Sequence, residues 1–206
     1  MVRLIIFAVS WRNRRSIIVR TPKSILMKIL KRILFLILAL IALALIVAVF
    51  VKKEYSLERE ITVNRSKTEV FDYVRYLKNQ DNYSVWSLMD PDMKKEFTGV
   101  DGTVGFISAW ESDDKQVGKG EQEITGIVEG ERIDYELRFR EPFESTDYTY
   151  MITESAGDSA TLVKWGFSGR MDYPMNLMLL FMDMEGMLGP DLENGLVNLK
   201  KILETP

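Results

Sequence analysis

The chain contains no histidine and no cysteine, which limits the chemistry that its side chains can perform. This excludes thiolate nucleophiles, disulfides and zinc sites built on Cys or His ligands, and it removes the usual general base near neutral pH. Carboxylates remain, but acidic surface loops are usually only solvated. The candidate carboxylates are Glu96, Glu111, Asp113 and Asp114. We predict no catalytic residue, no metal and no cofactor; enzymatic activity stays open, and the sequence favours a protein that is not an enzyme.

Aromatic and methionine side chains are the main indication of a binding site. They occur at positions that the strand and helix patterns turn toward the interior, and methionine adapts to varied apolar ligands. Ordinary core packing is the alternative for each of them. The residues predicted to line a cavity are Trp86, Phe106, Trp110, Tyr135, Leu137, Tyr148, Trp165, Phe167, Met178 and Met182.

One arginine is a candidate polar anchor for a ligand. Arg59 has the same parity as Leu57, Ile61 and Val63 in a predicted strand, so its side chain is expected on the inner face. An inward guanidinium binds a carboxylate or phosphate with two parallel hydrogen bonds. The alternative is a side chain that runs along the apolar surface and places its charge in water.

The sequence assigns the chain to a membrane. Residues 33–51 are nineteen consecutive apolar residues without a charge. As a helix they are about 28 Å long, close to the roughly 30 Å hydrocarbon core of a bilayer. We predict an uncleaved transmembrane anchor, with a cleaved signal peptide as the alternative. Basic residues without any acid precede the run, so the N-terminus is expected in the cytoplasm and the C-terminal domain outside it, in the periplasm or extracellular space of a bacterium.

Residues 1–32 form a basic N-terminal segment. Met27 is followed by its own basic stretch and resembles a natural start, so we interpret residues 1–26 as a gene-model artefact. The alternative is a basic cytoplasmic arm that contacts anionic headgroups.

The remaining part of the chain, residues 55–206, is acidic. It has 16 basic and 29 acidic side chains, a net charge of −13. Phosphate contacts need a basic patch, so nucleic-acid binding is excluded as a function class. About 150 residues are expected to form one domain with a sizeable core.

The pattern of this domain predicts an α+β fold. A first strand, residues 55–63, is followed by a helix with a capping box at Ser66 and Glu69, and by a turn or second short helix at residues 79–84. Alternating strands with one wet face come next and indicate an antiparallel meander. An apolar segment at residues 175–187, an interruption at Gly189 and Pro190, and an amphipathic helix at residues 191–203 end the chain.

This order resembles the helix-grip fold of the START-like, or SRPBCC, superfamily, in particular its bacterial polyketide cyclase/dehydrase and lipid-transport-like branch. The resemblance covers residues 55–204. It implies a curved antiparallel sheet wrapped around a long C-terminal helix, two short helices after strand 1, and an apolar cavity between sheet and helix. The segments that carry it are Val70-Phe-Asp-Tyr-Val74, Tyr83-Ser-Val-Trp86, Gly102-Thr-Val-Gly105, Trp110-Glu111, Val117-Gly-Lys-Gly-Glu121, Arg140-Glu-Pro-Phe143 and Gly195-Leu-Val-Asn-Leu-Lys200.

Three functions remain open from the sequence. The first is a membrane-tethered module that binds an apolar small molecule or lipid. The second is a protein-interaction domain outside the cytoplasm, which would show a large exposed apolar patch. The third is a cyclase or isomerase that uses the same cavity, which would show converging polar groups and a carboxyl of raised pKa inside it. We rank them in that order.

Overall fold

The computed structural model describes residues 23–205, with side chains from Ile25 onward. The predictions for residues 1–22 lie outside the described residues. The elements are α1 (Lys23–Phe50), β1 (Glu54–Val63), α2 (Lys67–Arg75), a first 3₁₀ helix (Leu77–Asn82), α3 (Val85–Met89), β2 (Lys94–Thr98), β3 (Ile107–Glu111), β4 (Lys119–Val128), β5 (Arg132–Glu141), β6 (Ser145–Ser155), β7 (Thr161–Arg170), a second 3₁₀ helix (Met175–Leu180) and α4 (Met184–Glu204).

Helix α1 carries the apolar run. Within the described residues, its stretch Ile25–Phe50 is the one helix long and apolar enough to cross a membrane, with a mean hydropathy of 3.4. Signal sequences near an N-terminus share this composition. By internal contacts the described residues divide into two compact units, one that ends at Ala44 and one that begins at Leu45. The second unit contains the last turn of α1 and every later element.

The seven strands form one antiparallel sheet in the order β1-β7-β6-β5-β4-β3-β2. Strand side chains alternate between a dry face and a wet face, as predicted for β5 and β7. The dry face carries Ile133 and Tyr135 of β5 and Val163 and Trp165 of β7. Helix α4 covers this face with Leu192, Leu196 and Leu199, a spacing of four and three residues that forms one apolar stripe.

The start of α2 is fixed by the predicted capping box. Ser66 Oγ accepts a hydrogen bond from Glu69 N, and the Glu69 carboxylate accepts one from Ser66 N at 3.1 Å. The Ser66 hydroxyl also donates to the Glu69 carboxylate at 2.7 Å. This bond and the one from Ser66 N stabilise the charged form of Glu69 and lower the pKa of its carboxyl. The turn or short helix predicted after α2 is the first 3₁₀ helix, and α3 follows it.

The predicted interruption of the last helix is wrong. Gly189 and Pro190 lie inside α4, which begins at Met184 rather than at residue 191. A proline removes one backbone donor and clashes with the residue before it, but that residue is a glycine without a Cβ, so the clash is reduced. The apolar segment at residues 175–187 does not form a single helix. It contains the second 3₁₀ helix, a turn, and the first residues of α4.

One strand begins later than predicted. The sequence pattern of residues 104–111 predicts a strand over that whole range, yet β3 begins at Ile107. Gly102 and Gly105 have φ values of +77° and +87°, a left-handed conformation that ends strand geometry and that glycine adopts without strain.

The wet face of β4 and β5 is held together by Arg138. Its Nε and Nη2 bind Glu121 and Glu123 at 2.7 and 2.8 Å, and its Nη1 binds Glu136 at 2.6 Å. These hydrogen bonds stabilise the charged guanidinium and raise the pKa of Arg138.

We expect Arg138→Met to lower the free energy of unfolding by about 1–2 kcal/mol at pH 7, because three neighbouring carboxylates lose their shared cation. Urea unfolding at pH 7 measures the difference from the parent chain. A variant as stable as the parent would contradict the assignment.

Candidate ligand-binding cavity

A cavity of about 240 Å³ lies between the dry face of the sheet, the short helices and α4. Strands β3 to β7 form its floor, while the first 3₁₀ helix, α3 and α4 close its sides. Most of its wall is apolar. The apolar side chains are Leu77, Trp86, Met93, Trp110, Val117, Leu137, Phe139, Trp165, Phe167, Leu188 and Leu192.

Five of the ten predicted cavity residues are brought together here: Trp86, Trp110, Leu137, Trp165 and Phe167. They come from α3, β3, β5 and β7, elements that are far apart in sequence. Strand parity turned four of them toward the dry face, and α3 positions the fifth above it.

Two of the tryptophans present their rings to the cavity while their N–H groups are satisfied by the protein. Trp165 Nε1 donates to Thr149 Oγ1 at 3.1 Å, and Trp110 Nε1 donates to the carbonyl oxygen of Val117 at 3.2 Å. Thr149 Oγ1 in turn donates to the carbonyl oxygen of Gly166. These two rings therefore present apolar faces to the cavity, and their N–H groups need no hydrogen-bond acceptor from a ligand.

The polar part of the wall contains one ion pair and one unpaired donor. Lys95 Nζ and Asp81 Oδ1 form a salt bridge, and Ser87 Oγ also donates to Asp81. Gln122 is 8% exposed, and its Nε2 has no hydrogen-bond partner. An unsatisfied buried donor is costly. This nitrogen is buried within the wall, so it reaches a bound molecule only after the side chain rotates.

Two predicted cavity residues lie in the packed core instead. Phe106 is almost fully buried and stacks on Phe97, with ring centroids 6.1 Å apart. Tyr135 is buried behind α2 and donates its hydroxyl to the carbonyl oxygen of Val74 at 3.4 Å. Burial raises the pKa of Tyr135, because the charged phenolate is disfavoured in the core.

Tyr148 lies on the wet face of β6, outside the cavity. The predicted parity of this strand is inverted: Thr149, Met151 and Thr153 point inward, while Tyr148 and Tyr150 point out. The inward threonines are tolerated because their hydroxyls donate to the carbonyl oxygens of Gly166 and Gly130. The apolar pattern of the sequence predicted that the tyrosines face inward. The threonines face inward instead, because their hydroxyls have hydrogen-bond partners there.

Met178 and Met182 also lie outside this cavity. Met178 is exposed on the second 3₁₀ helix, and Met182 lines a separate shallow groove beside the end of α1. Their helical spacing predicted an inward face. The chain makes only a short 3₁₀ helix here, so Leu188 and Leu192 of α4 take the positions over the cavity.

Arg59 shares the dry side of β1 as predicted and stands opposite Trp165 in the β1–β7 ladder. Its guanidinium lies over Gly189 of α4, where a Cβ would come within 2.3 Å of Nη2. It donates to Glu185 at 3.3 Å and is partly exposed. The side chain thus follows the alternative route to water and is not part of the cavity wall.

Sequence reasoning missed the polar members of the wall, above all Gln122, Lys95 and Asp81. The sequence signal for Gln122 was strand parity, because Gln122 lies on the same face of β4 as the buried Gly120 and Ile124. Lys95 and Asp81 gave no local signal, since only the fold brings α3, the first 3₁₀ helix and β2 together.

A second buried polar group lies at the edge of the dry face. Asp147 is 5% exposed, and a Cβ at Gly169 would contact both its carboxylate and the Tyr55 hydroxyl. Burial raises the pKa of Asp147, and burial with this nearby charge raises the pKa of Tyr55 to about 12. Neither residue lines the cavity.

We expect Asp147→Asn to remove part of the pH dependence of stability. Folding favours the protonated carboxyl, so its ionisation lowers the unfolding free energy as pH rises from the unfolded pKa of about 3.9 through the higher folded pKa. The variant should therefore gain stability relative to the parent over that rise. Thermal unfolding across pH 3–7 measures the difference. A constant difference would contradict the raised pKa.

Comparisons with known proteins support the fold. No protein-family model matches the chain, and no curated protein matches it. Among solved structures, truncated norcoclaurine synthase from Thalictrum flavum has a TM-score of 0.55 and 12% identity, covering 74% of this chain and 96% of its own. Ginseng major latex-like protein 151 from Panax ginseng has a TM-score of 0.52 and 10% identity, covering 75% and 100%.

A protein of Rhizobium loti has a TM-score of 0.52 and 19% identity, covering 72% of this chain and 96% of its own. These neighbours are SRPBCC, or Bet v 1-like, proteins. The predicted α+β helix-grip fold is confirmed: a seven-stranded curved antiparallel sheet holds a C-terminal helix. At these identities the likeness shows the fold alone.

Proposed function

We propose that the domain binds an apolar small molecule or a lipid acyl chain in the cavity and that α1 tethers it to a membrane. The observation that carries the proposal is the cavity itself, a space of about 240 Å³ whose wall is mostly apolar. Close-packed interiors normally leave few voids larger than a water molecule. Burial of apolar ligand surface would supply the binding free energy, at about 25 cal/mol per Å² before the costs of association.

The size and polarity of the cavity limit which ligands fit it. Its volume is just below the roughly 300–1,000 Å³ of typical small-molecule sites, so a ring system or part of one acyl chain fits better than a whole two-chain lipid. A rotation of the Gln122 side chain would bring its buried, unpaired amide nitrogen to a carbonyl, hydroxyl or carboxyl oxygen of that ligand. An amphiphile with an apolar body and one acceptor group matches both features.

The membrane tether and its orientation are part of the proposal. Residues 33–51 would span the bilayer, and the basic residues before them would stay in the cytoplasm. The domain would then work on the periplasmic or extracellular side, beside a reservoir of apolar ligands.

The enzyme alternative receives less support from the site. It required a carboxyl of raised pKa within the cavity, yet the carboxyls whose pKa burial raises among the described residues, Asp147 and Asp191, do not line it. Asp81 and Lys95 are the polar pair that a reaction in this cavity would have to use.

Quenching of tryptophan fluorescence tests the binding proposal. Three of the four tryptophans line the cavity, and residues 55–206 contain only these three. Medium-chain and long-chain brominated fatty acids are titrated into this fragment, with unbrominated acids as controls, after its cooperative unfolding has been verified. Saturable quenching by the brominated acids supports the proposal. Quenching that rises linearly without saturation would reject it.

A further inference from the structure

The three most exposed large apolar side chains of the described residues are phenylalanines: Phe181 at 84%, Phe50 at 83% and Phe143 at 81%. Phe50 ends α1, Phe181 follows the second 3₁₀ helix, and Phe143 lies in the turn between β5 and β6. Isolated exposed apolar residues are ordinary, but a contiguous group marks a contact surface. We call the following set the apolar rim: Phe50, Phe143, Met175, Met178, Leu180, Phe181 and Met187.

The strand register places two of these residues, Phe50 and Phe143, at one end of the sheet. Glu54, the first residue of β1, pairs with Arg170, the last residue of β7, and Ser145 begins β6 beside them. The turn that contains Phe143 therefore lies at the end of the sheet where the chain arrives from α1. Val47, Phe50 and Val51 share a groove with Leu179, Leu180 and Met182, which joins the second 3₁₀ helix to the same end.

A buried side chain fixes this end of the domain to the last turn of α1. Asn176 is fully buried, and its Nδ2 donates to the carbonyl oxygens of Ala48 and Val51 at 2.7 and 2.9 Å. The last carbonyls of a helix have no partner within the helix, so this amide caps them. Met171 N also donates to the carbonyl oxygen of Lys53 at 2.8 Å. These hydrogen bonds hold the last turn of α1 and residues 51–53 in a defined position on the domain.

The linker is also too short to hold the rim away from a bilayer. Only residues 51–53 separate α1 from β1. A fully extended chain gains at most about 3.6 Å per residue, so three residues span about 11 Å. If α1 spans a membrane, the start of β1 lies within about 11 Å of the end of the span, in the interfacial layer where apolar side chains insert beneath the headgroups.

We propose that the apolar rim is inserted in the interface of the bilayer that α1 crosses, so that the domain is seated on the lipid surface. The proposal rests on the membrane tether of the proposed function. The occupant is lipid: the rim continues the apolar surface of the helix end, and Lys52 and Lys53 flank it where headgroup phosphates lie.

This seating has a consequence for the cavity. Val117 and Phe139 of the cavity wall lie at the same end of the sheet as the rim, because Lys119 pairs with Glu141 there. Leu188 of the wall follows Met187 of the rim directly. One end of the cavity wall would then lie close to the lipid surface.

Fluorescent labels on single cysteines test the seating in the full chain, which has no cysteine of its own. Phe181→Cys reports on the rim. Val100→Cys is the matched control: Val100 is 70% exposed, and its loop lies at the other end of the sheet, where Arg75 binds both Gly102 O and Glu129. Leu40→Cys reports on the centre of the proposed span. Each labelled chain is reconstituted in phosphatidylcholine vesicles with doxyl-labelled lipids, and aqueous iodide is the second quencher.

We expect doxyl lipids to quench the labels at positions 181 and 40 and iodide to quench the label at position 100. Quenching at position 181 by iodide, to the extent seen at position 100, would overturn the seating while leaving the span intact. A label at position 181 shielded from both quenchers would mean that protein covers the rim, which also overturns the proposal. A label at position 40 that doxyl lipids do not quench would remove the tether, whereas the fatty-acid titration tests the cavity independently.

Discussion

Ser108→Phe is expected to lower the affinity for brominated fatty acids at least tenfold, about 1.4 kcal/mol of binding free energy. Ser108 lies in the middle of β3, opposite Gln122 in the ladder, and its small side chain forms part of the cavity wall. A phenyl ring at this position would project into a space of about 240 Å³ and occupy the volume that an apolar ligand needs.

The matched control for this variant is the neighbouring residue. Ala109 is of similar size but points to the opposite face of β3, where it pairs with Glu121. Ala109→Phe adds the same ring outside the cavity and should leave the quenching titration unchanged. Equal loss of binding in both variants would mean that the ligand does not enter the cavity. Equal retention would place the ligand elsewhere on the domain.

Trp165→Ala is expected to lower the free energy of unfolding by about 3–5 kcal/mol, the usual cost of removing a large aromatic side chain from a core. Trp165 is 2% exposed and lies at the centre of the aromatic contacts. Its ring centroid is 5.7 and 6.3 Å from those of Tyr83 and Trp86, in edge-to-face arrangements. A Cβ at Gly195 would come within 2.7 Å of its ring, so α4 packs directly on it.

Trp165→Phe separates the ring from its hydrogen bond. Phenylalanine keeps much of the apolar surface but cannot donate to Thr149, so we expect a loss of about 1–3 kcal/mol for the acceptor left without its donor. Urea denaturation of the fragment 55–206 measures both variants. A cost for Trp165→Ala no greater than that for Trp165→Phe would contradict the central packing role of the ring.

The fold could be predicted largely from local patterns. The capping box placed α2, and clean alternation in β5 and β7 gave the dry face, because burial on one side imposes a period of two. Pro190 shows the limit of such rules: its usual effect was weakened by a neighbouring glycine, a compensation that the pattern alone does not reveal. Strand β6 shows a second limit, because its threonine hydroxyls form hydrogen bonds inside the fold and so face inward against the apolar pattern.

Only half of the predicted cavity residues line the cavity. Trp110, Leu137, Trp165 and Phe167 followed from strand parity, but the size of the space depends on how α3 and α4 close over the sheet. Gln122 lines the cavity but was not among the predicted cavity residues. A polar residue of inward parity in a strand is a local conflict, and conflicts of this kind concentrate at functional sites.

Native mass spectrometry of the full chain, released from lipid nanodiscs and followed by organic extraction, shows whether the cavity holds a ligand. We expect one apolar molecule per chain, bound by the parent protein and by Ala109→Phe but absent from Ser108→Phe. A parent chain that carries no such molecule, and whose mass no fatty acid or apolar probe shifts, would contradict the assignment of the cavity as a binding site.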